Sequence, residues 1–196
     1  MYYNNIIEKE RKFRNYFNEI NILKSIGIIM VDYFFDRILF YSDERVGKTT
    51  FTKKYCVGFP HSYKNTLGFD IFKLKQDVEL QGSNTSLCFW DISEHISPPH
   101  GMFKSAQWGI IMYDITNKNS LNKIPEWSNK IREFREDIPI LLVGNKLDLE
   151  EKREISRDYG TMIKEENNLS SFIEISVETG ENVDNMLKLL VNLIVN

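Results

Sequence analysis

Short apolar runs alternate with amphipathic segments along most of the chain. Residues 37–41, 109–114 and 138–144 are almost continuously apolar, which is typical of strands that are buried on both faces of a sheet. Residues 121–134 and 153–166 carry apolar side chains at helical spacing, with polar residues between them. Strands that alternate with helices predict an α/β fold in which a mostly parallel sheet has helices on both faces.

One part of the pattern departs from this alternation. Residues 69–80 and 85–91 are strand-like and are joined by the turn 81–84, which predicts a hairpin and therefore one antiparallel strand. A last strand at 172–176 brings the sheet to six strands. A closing helix follows, and its apolar residues have the spacing i, i+3, i+4, i+7: Val183, Met186, Leu187, Leu190 and Ile194.

The start of the chain is the least regular part. Residues 1–31 are interpreted as an N-terminal extension of a domain that spans residues 32–196. Within the extension, residues 5–24 can form an amphipathic helix. Such a helix could pack on the domain, bind a membrane or a partner, or be poorly ordered. The sequence leaves these alternatives open, together with the alternative that Met30 is the natural start.

Composition narrows the class of protein. The 196 residues suit one domain, and the net charge of −3 argues against nucleic acid as the main partner. Cys56 and Cys88 are interpreted as reduced thiols of a cytoplasmic protein, since two cysteines make neither a disulfide framework nor a metal set. No apolar run approaches the ~20 residues of a membrane span, and no secretory signal is recognised. We expect a cytoplasmic protein that has no C-terminal prenylation cysteine and contacts membranes, if at all, peripherally through its extension.

The stretch from Ser42 to Thr50 has the context of a phosphate-binding loop, because an apolar strand precedes it and a helix that ends near residues 57–58 follows it. In the usual pattern, G-x-x-x-x-G-K-[ST], a glycine stands where this chain has Ser42, which predicts a cost if the loop needs a positive φ there. The alternative is a helix N-terminus with a chance Gly-Lys-Thr. The residues expected to contact a nucleotide here are Asp43, Glu44, Arg45, Val46, Gly47, Lys48, Thr49 and Thr50.

Four side chains are predicted to act on the phosphates or on a Mg²⁺ ion. Lys48 is a point charge for the β- and γ-phosphates, and the Thr49 hydroxyl can ligate Mg²⁺. Asp91 ends a predicted strand and is placed to hold the hydration shell of the ion. Thr66 can reach the ion only when a third phosphate draws its loop inward. The ordinary alternatives are a strand-end aspartate that caps a turn and a loop threonine without a ligand.

A second polar segment, Asn145-Lys146-Leu147-Asp148, directly follows a predicted strand. The Asp148 carboxylate can accept hydrogen bonds from the N1–H and the exocyclic amine of guanine, a donor pair that adenine lacks. Lys146 can lay its stem on the base, and Asn145 can brace neighbouring loops. The alternative is a polar turn. The backbone N–H groups that could face the guanine O6 follow the last strand and belong to Ser176, Val177 and Glu178.

Residues 32–195 resemble the Ras superfamily of small GTPases, and the Rab-like branch best. The likeness is carried by the lead-in at 31–40 and by Thr66-Leu-Gly-Phe-Asp-Ile71, Trp90-Asp91, Tyr113-Asp-Ile-Thr116 and Asn145-Lys-Leu-Asp148. It implies a P-loop G domain that binds GTP or GDP with Mg²⁺ and hydrolyses GTP. It also implies that Phe59 contacts the guanine edge-on. Effectors and regulators would meet two switch loops, about 57–68 and 91–105, and an apolar patch of Ile71, Trp90 and Phe103.

The chain departs from this family at residues that act in hydrolysis. After Asp91 the family reads Thr-Ala-Gly-Gln, whereas this chain reads Ile-Ser-Glu94-His95. The Glu94 carboxylate would lie near a polyanion, and like charges about 4 Å apart repel by ~1 kcal/mol even in water. His95 replaces the glutamine that orients the attacking water, so the expected catalytic set is Lys48, Thr66 and His95. Glu44 stands at a loop position where the family usually needs a very small residue.

Two functions remain open from the sequence. The first is a guanine-nucleotide-binding switch that hydrolyses GTP slowly. The second is a non-hydrolysing docking module that uses the same fold as a protein-binding surface.

Overall fold

A computed structural model describes residues 34–58, 69–80, 83–92 and 106–192 of the chain. They belong to the unit formed by residues 34–196. The predicted N-terminal extension, residues 1–31, lies outside the described residues.

A mixed sheet organises the described part of the chain. Its order is β2-β3-β5-β1-β6-β7-β8, and β4 pairs with β5 beside this path. The chain from β5 through β1, β6 and β7 to β8 is parallel, which confirms the α/β fold predicted from the alternating pattern. The strands are β1 (Phe34–Ser42), β2 (Cys56–Gly58), β3 (Phe69–Leu74), β4 (Val78–Leu80), β5 (Ser83–Ile92), β6 (Trp108–Asp114), β7 (Ile140–Asn145) and β8 (Ser171–Glu174).

The predicted number of strands was wrong, because the described residues form eight strands, and three of the strand pairings are antiparallel. The predicted strand 69–80 is interrupted at residues 75–77, which leaves β3 and β4 as separate strands. Residues 56–58, predicted as the end of a helix, are extended and pair with β3. Cys56 is buried there opposite Leu74, so burial against the sheet outweighs continuation of the short helix.

Four helices cover the described sheet, and two short 3₁₀ segments, Lys118–Leu121 and Leu147–Lys152, precede two of them. The predicted helix 121–134 begins only at Ile124, after the first 3₁₀ turn. The predicted helix 153–166 begins at Arg157, because the Ser156 hydroxyl caps it by accepting a hydrogen bond from the Tyr159 N–H at 3.2 Å. The helices are α1 (Lys48–Tyr55), α2 (Ile124–Phe134), α3 (Arg157–Glu166) and α4 (Val183–Asn192).

An aromatic cluster anchors α1 to the sheet. Phe51 of α1 meets the ring of Phe40 on β1 edge-on, with centroids 5.7 Å apart, and the ring of Phe89 on β5 at 5.1 Å. All three side chains are buried. This packing holds the first turn of α1 beside the ends of β1 and β5, where the predicted phosphate loop lies.

The closing helix packs as the spacing predicted. Val183, Met186, Leu187 and Leu190 are buried, whereas Ile194 lies outside the described residues. Among the described helices, none has the length and apolarity that crossing a bilayer would require.

Candidate functional site

The predicted contact residues that the structure describes gather at one edge of the sheet. The loops that follow β1, β5, β7 and β8 all leave the carboxyl ends of neighbouring parallel strands. This edge is where open α/β sheets bind ligands. We name three of these loops: the phosphate loop (residues 42–49), base loop 1 (residues 145–148) and base loop 2 (residues 176–178).

Gly47, the residue before α1, has a φ of 113°, a conformation that L-residues other than glycine rarely adopt. Its carbonyl accepts the first helical hydrogen bond of α1 from the Phe51 N–H at 2.9 Å. A side chain at this position would also overlap the amide of Asn145. Gly47 is one of the residues expected to contact a nucleotide, and the structure adds its close approach to Asn145 of base loop 1.

The strain in the phosphate loop lies at a residue that the sequence did not single out for it. Ser42 ends β1, is 6% exposed and is not among the described residues with positive φ. Arg45 has a φ of 63° instead. The predicted cost at Ser42 was therefore misplaced, since the left-handed conformation that favours glycine falls three residues later.

Charged side chains surround this loop. Glu44 and Arg45 are exposed, whereas Val46 is buried in the core and can offer a ligand only its backbone. Asp43 accepts a hydrogen bond from the Glu44 N–H at 3.0 Å, and the Lys123 ammonium lies 3.4 Å from the same carboxylate oxygen. Lys123 is the residue directly before α2, and the sequence analysis did not identify it as part of the site. No local signal marks it, because the contact spans 80 positions along the chain.

The structure brings together Lys48, which is expected to act on the phosphates, and Asp91, which is expected to act on a Mg²⁺ ion. The Lys48 ammonium lies 2.5 Å from the Asp91 carboxylate and 3.4 Å from the carbonyl oxygen of Ile92. Asp91 is 3% exposed, so this charge is held in a site of low solvent access. Such burial strengthens the attraction between the two groups relative to the same pair in water.

The donor set around Lys48 fits a Mg²⁺ ion that arrives with phosphates. Thr49 is exposed on the first turn of α1, and Asp91 supplies a buried carboxylate oxygen. Among the described residues, no three His, Cys, Asp or Glu side chains cluster as a metal cage. Magnesium suits this arrangement, since it prefers oxygen ligands and is usually held by one or two protein groups together with substrate phosphates.

Asn145 joins the phosphate loop to both base loops. Its side-chain N–H donates to the carbonyl of Val46 at 2.7 Å, and its side-chain oxygen accepts from the N–H of Val177 at 3.0 Å. Asn145 itself is buried. The predicted bracing role of Asn145 agrees with this geometry, which spans three segments distant in sequence.

A direct contact also connects the two base loops. The Ser176 hydroxyl lies 2.5 Å from a carboxylate oxygen of Asp148, and the Thr179 N–H donates to the same hydroxyl at 3.0 Å. The Leu147 N–H donates to the carbonyl of Ile175 at 3.0 Å. Base loop 1 and base loop 2 therefore form one hydrogen-bonded unit around the Asp148 carboxylate.

Lys146 has a left-handed backbone, with a φ of 76°, and its ammonium lies 2.5 Å from the buried carboxylate of Asp114 at the end of β6. The Thr116 N–H donates to the other Asp114 oxygen at 2.9 Å. The sequence analysis noted Asp114 and Thr116 only as landmarks of a resemblance. The structure shows that they position Lys146 at the edge of base loop 1.

The expectation for base loop 2 needs a correction. The Ser176 N–H donates to the carbonyl of Glu181 at 3.0 Å, and the Val177 N–H is taken by Asn145. Both N–H groups therefore have acceptors within the protein. The role of the Glu178 N–H stays a prediction.

Lys54 and Tyr55 of α1 donate to the carbonyl of Val177 at 3.2 and 3.3 Å, and Lys54 also contacts the carbonyl of Glu178.

Several predicted residues lie outside the described part of the chain. Phe59, Thr66, Glu94, His95 and Phe103 are among them, as are most of the switch loops 57–68 and 91–105.

Ile71 and Trp90 are described, and they are register partners on β3 and β5. Both are buried, at 5% and 2% exposure, and Trp90 stacks on Phe69 with ring centroids 5.8 Å apart. These two side chains do not form the exposed apolar patch that the resemblance implied.

Comparison with known proteins agrees with this geometry. The sequence description of the Ras family matches residues 37–196. Rab-12 of Mus musculus is 35% identical over 161 residues, which cover 80% of this chain and 65% of Rab-12. Rab-3 of Caenorhabditis elegans is 32% identical over 168 residues, which cover 83% of this chain and 75% of Rab-3. Rab-19 of Mus musculus is 28% identical over 165 residues, 82% of this chain and 75% of Rab-19. The chain thus spans about two thirds of the length of Rab-12.

Proposed function

Because this chain belongs to the Ras family of GTP-binding switch proteins, we propose that it binds GTP and GDP at the carboxyl ends of its parallel strands. The observation that carries this proposal is the hydrogen-bonded junction at Asn145, which joins the phosphate loop to both base loops. A nucleotide that spans these loops would contact one continuous unit. Partner proteins would then distinguish the GTP-bound state from the GDP-bound state by the conformation of the loops around the nucleotide.

Guanine selectivity would come from base loop 1. The Asp148 carboxylate would accept hydrogen bonds from the N1–H and from the exocyclic amine of guanine. Adenine has an acceptor at N1 and cannot donate this pair of hydrogen bonds. Ser176 contacts one oxygen of Asp148 and thereby orients the carboxylate. Lys146, tethered by Asp114, would lie along the face of the base.

The phosphates would be held by the backbone of the phosphate loop and by the N-terminus of α1. Lys48 would compensate the charge of the β- and γ-phosphates. The residues that would hold a Mg²⁺ ion are Thr49, Asp91 and, in the GTP-bound state, Thr66. When bound, the ion would supply positive charge to the phosphate oxygens.

We propose that the chain hydrolyses GTP slowly, by in-line attack of a water on the γ-phosphate. His95 would orient this water in place of the usual glutamine, and Glu94 would add a negative charge beside the phosphates. Glu44 is exposed in the phosphate loop, and its bulk would hinder a catalytic group that a partner supplies. Single-turnover hydrolysis should accelerate in the Glu94→Gly/His95→Gln variant. An unchanged rate would show that these residues do not limit the reaction.

A second candidate function is a docking module that does not hydrolyse GTP. The exposed carboxylate of Glu44 in the phosphate loop favours it, because a negative charge is unfavourable beside a polyanion. In that case partner proteins would bind equally well whichever nucleotide is present. Partner affinities measured with GDP and with a non-hydrolysable GTP analogue separate the two candidates.

Partners and location extend the proposal. Effectors and regulators would bind the loops 57–68 and 91–105, and the protein would act in the cytoplasm, with peripheral membrane contact through residues 5–24. Co-sedimentation of the full chain with liposomes, in both nucleotide states, tests the membrane contact. If the protein stays in the supernatant in both states, residues 5–24 do not recruit it to those membranes.

The deciding experiment is to identify the nucleotide that the freshly purified protein releases on denaturation. GDP is expected if the site binds guanine nucleotides and turns GTP over, and GTP is expected if it binds without hydrolysis. Lys48→Ala should abolish binding, whereas Lys53→Ala removes the same charge from an exposed position of α1 and should not. Normal affinity in Lys48→Ala, or no guanine nucleotide in the wild type, would contradict the proposal.

A further inference from the structure

Arg153 lies between helix α3 and the 3₁₀ segment Leu147–Lys152, which begins within base loop 1. Its side chain connects two glutamates that are each close in sequence to one of the base loops. We infer that Arg153 is a positioning residue that holds base loop 1 and base loop 2 in register for guanine recognition. This inference rests on the proposed function, because it concerns how the same site reads its base.

The guanidinium of Arg153 is saturated with hydrogen bonds. Nε and Nη2 donate to the two carboxylate oxygens of Glu150 at 2.8 and 2.7 Å. Nη1 and Nη2 donate to the two carboxylate oxygens of Glu174 at 2.7 and 3.0 Å. Nη1 also donates to the carbonyl of Ile155 at 2.8 Å. These five bonds use all the N–H donors that a guanidinium has, so the orientation of the group is fully specified.

Each carboxylate is close in sequence to a base-reading residue. Glu150 follows Asp148 by two residues within the same 3₁₀ segment, and Glu174 precedes Ser176 by two residues at the end of β8. Asp148 and Ser176 are themselves in contact at 2.5 Å. Arg153 therefore links the two loops a second time, through Glu150 and Glu174.

The two arms of this link differ in burial. Glu174 is 4% exposed, while the Glu150 side chain is 62% exposed and the Arg153 side chain 16%. The hydrogen bonds to Glu150 and Glu174, in that order, raise the pKa of Arg153, and the Arg153 hydrogen bond lowers the pKa of Glu150. The hydrogen bonds to Glu174 fix the position of the Arg153 guanidinium relative to the end of β8, because a buried bidentate pair has few alternative geometries.

The surroundings of Glu174 leave it little room to adapt. A side chain at Gly144, its register partner on β7, would come within 3.2 Å of the Glu174 Cγ, and the Asn182 side chain donates to the Glu174 carbonyl at 3.0 Å. Without Arg153, the buried carboxylate would be uncompensated and would have to turn towards solvent. That movement would displace the backbone that leads to Ser176, and through Ser176 the carboxylate of Asp148.

The test compares two nucleotides that differ only at the base contact. Inosine diphosphate lacks the exocyclic amine of guanine, so the ratio of its dissociation constant to that of GDP measures how well Asp148 is aligned. We expect Arg153→Met to release GDP about tenfold faster and to reduce this ratio towards one, since a misplacement of ~1 Å in a polar site costs 10- to 100-fold. Arg153→Lys keeps the charge but not the fork geometry, and should fall between Arg153→Met and the wild type.

Arg132→Met is the matched control. Arg132 is also partly buried, and it donates to the carbonyls of Asn167 and Asn168 at 3.0 and 2.8 Å, away from the base loops. The Arg132→Met variant should lower the midpoint of thermal unfolding without changing the ratio of the two dissociation constants. If Arg153→Met does not fold, the Arg153→Met/Glu174→Gln variant removes the buried charge and still lacks the link, so the reduced ratio should persist.

The outcomes separate this inference from the proposed function. If the wild type prefers GDP to inosine diphosphate and the Arg153 variants keep that preference, Arg153 is only a structural residue and the inference is wrong, while the proposed function stands. If the wild type binds neither nucleotide, both are wrong. A reduced ratio in Arg153→Met together with an unchanged ratio in Arg132→Met supports the inference.

Discussion

The base side and the phosphate side of the candidate site are built in different ways. On the base side, hydrogen bonds with at least one buried partner connect the loops: Asn145 to Val177, Ser176 to Asp148, and Arg153 to Glu174. On the phosphate side, Glu44 and Arg45 are exposed, and the loop depends on the backbone conformation of Gly47 and on ion pairs.

This difference indicates which half of the site is preorganised. Hydrogen bonds with a buried partner fix the base loops before a ligand arrives, because leaving the buried group unpaired is costly. On the phosphate side the Lys48–Asp91 pair is also shielded, but the charges of Glu44 and Arg45 and the partly exposed Lys123–Asp43 pair are screened by water and salt and constrain the loop weakly. Base selection is therefore expected to tolerate changes in the phosphate loop, whereas a change at the junction of the two halves should damage both.

Asn145→Ala breaks that junction, and we expect the largest effect from it. The carbonyl of Val46 and the N–H of Val177 lose their partner in a buried region. Two unpaired groups cost about 2–4 kcal/mol of the free energy of unfolding, and GDP should dissociate at least about tenfold faster. Urea unfolding and nucleotide release measure the two effects. Asn185→Ala, an exposed asparagine bonded to Asn182, is the control and should change little.

Arg45→Gly tests the strain on the phosphate side. A left-handed L-residue costs about 1–2 kcal/mol, and the greater freedom of glycine in the unfolded chain offsets about 0.5–1 kcal/mol. We therefore expect the free energy of unfolding to rise by roughly 0.5–1 kcal/mol, as measured by urea unfolding.

Arg45→Ala separates conformation from charge at the same position. It removes the guanidinium but keeps the Cβ atom, so it should bring no gain if the strain at φ 63° is the cause. Equal gains in the alanine and glycine variants would show that charge, and not backbone conformation, limits stability there.

Lys123→Met removes the ion pair with Asp43. Both side chains are partly exposed, at 39% and 27%, so the expected loss in the free energy of unfolding is only about 0.2–1 kcal/mol and should fade at high salt. Unfolding in 50 mM and about 1 M NaCl measures this dependence. Lys130→Met, which breaks the Lys130–Glu126 pair on α2, is the matched control. If Lys123→Met lowers the free energy of unfolding equally at both salt concentrations, the ion pair with Asp43 is not the cause of the loss.

The smallest expected effect concerns Glu150, the exposed carboxylate that Arg153 contacts. The Arg153 hydrogen bond lowers the pKa of Glu150 below its ordinary value of 4.5. A lowered carboxyl pKa contributes stability that is present above 4.5 and is lost as the pH falls through the folded-state value. The difference in urea midpoint between the wild type and Glu150→Gln should thus be constant near neutral pH and shrink below 4.5. A difference that grows on acidification would contradict this assignment.

The sequence predicted much of the fold because the signals were local. The buried strands β6 and β7 are continuous apolar runs, and the spacing of Val183, Met186, Leu187 and Leu190 marked the buried face of α4. The errors arose where tertiary contacts outweighed local preference. Cys56–Gly58 became β2 by pairing with β3, and α3 began at Arg157 since Ser156 caps it and Arg153 is engaged by two glutamates.

By itself, the sequence determined which chemical groups stand at the ends of the strands: Lys48 and Thr49 after β1, Asp91 at the end of β5, and Asn145 to Asp148 after β7. Only the tertiary structure decided how those groups are used. It placed the left-handed residue at Arg45 and not at Ser42, and it engaged the Val177 N–H with Asn145. The physical reason is that a polar group's availability depends on which distant donors and acceptors the packed sheet brings within about 3 Å, and local sequence patterns do not encode such distances.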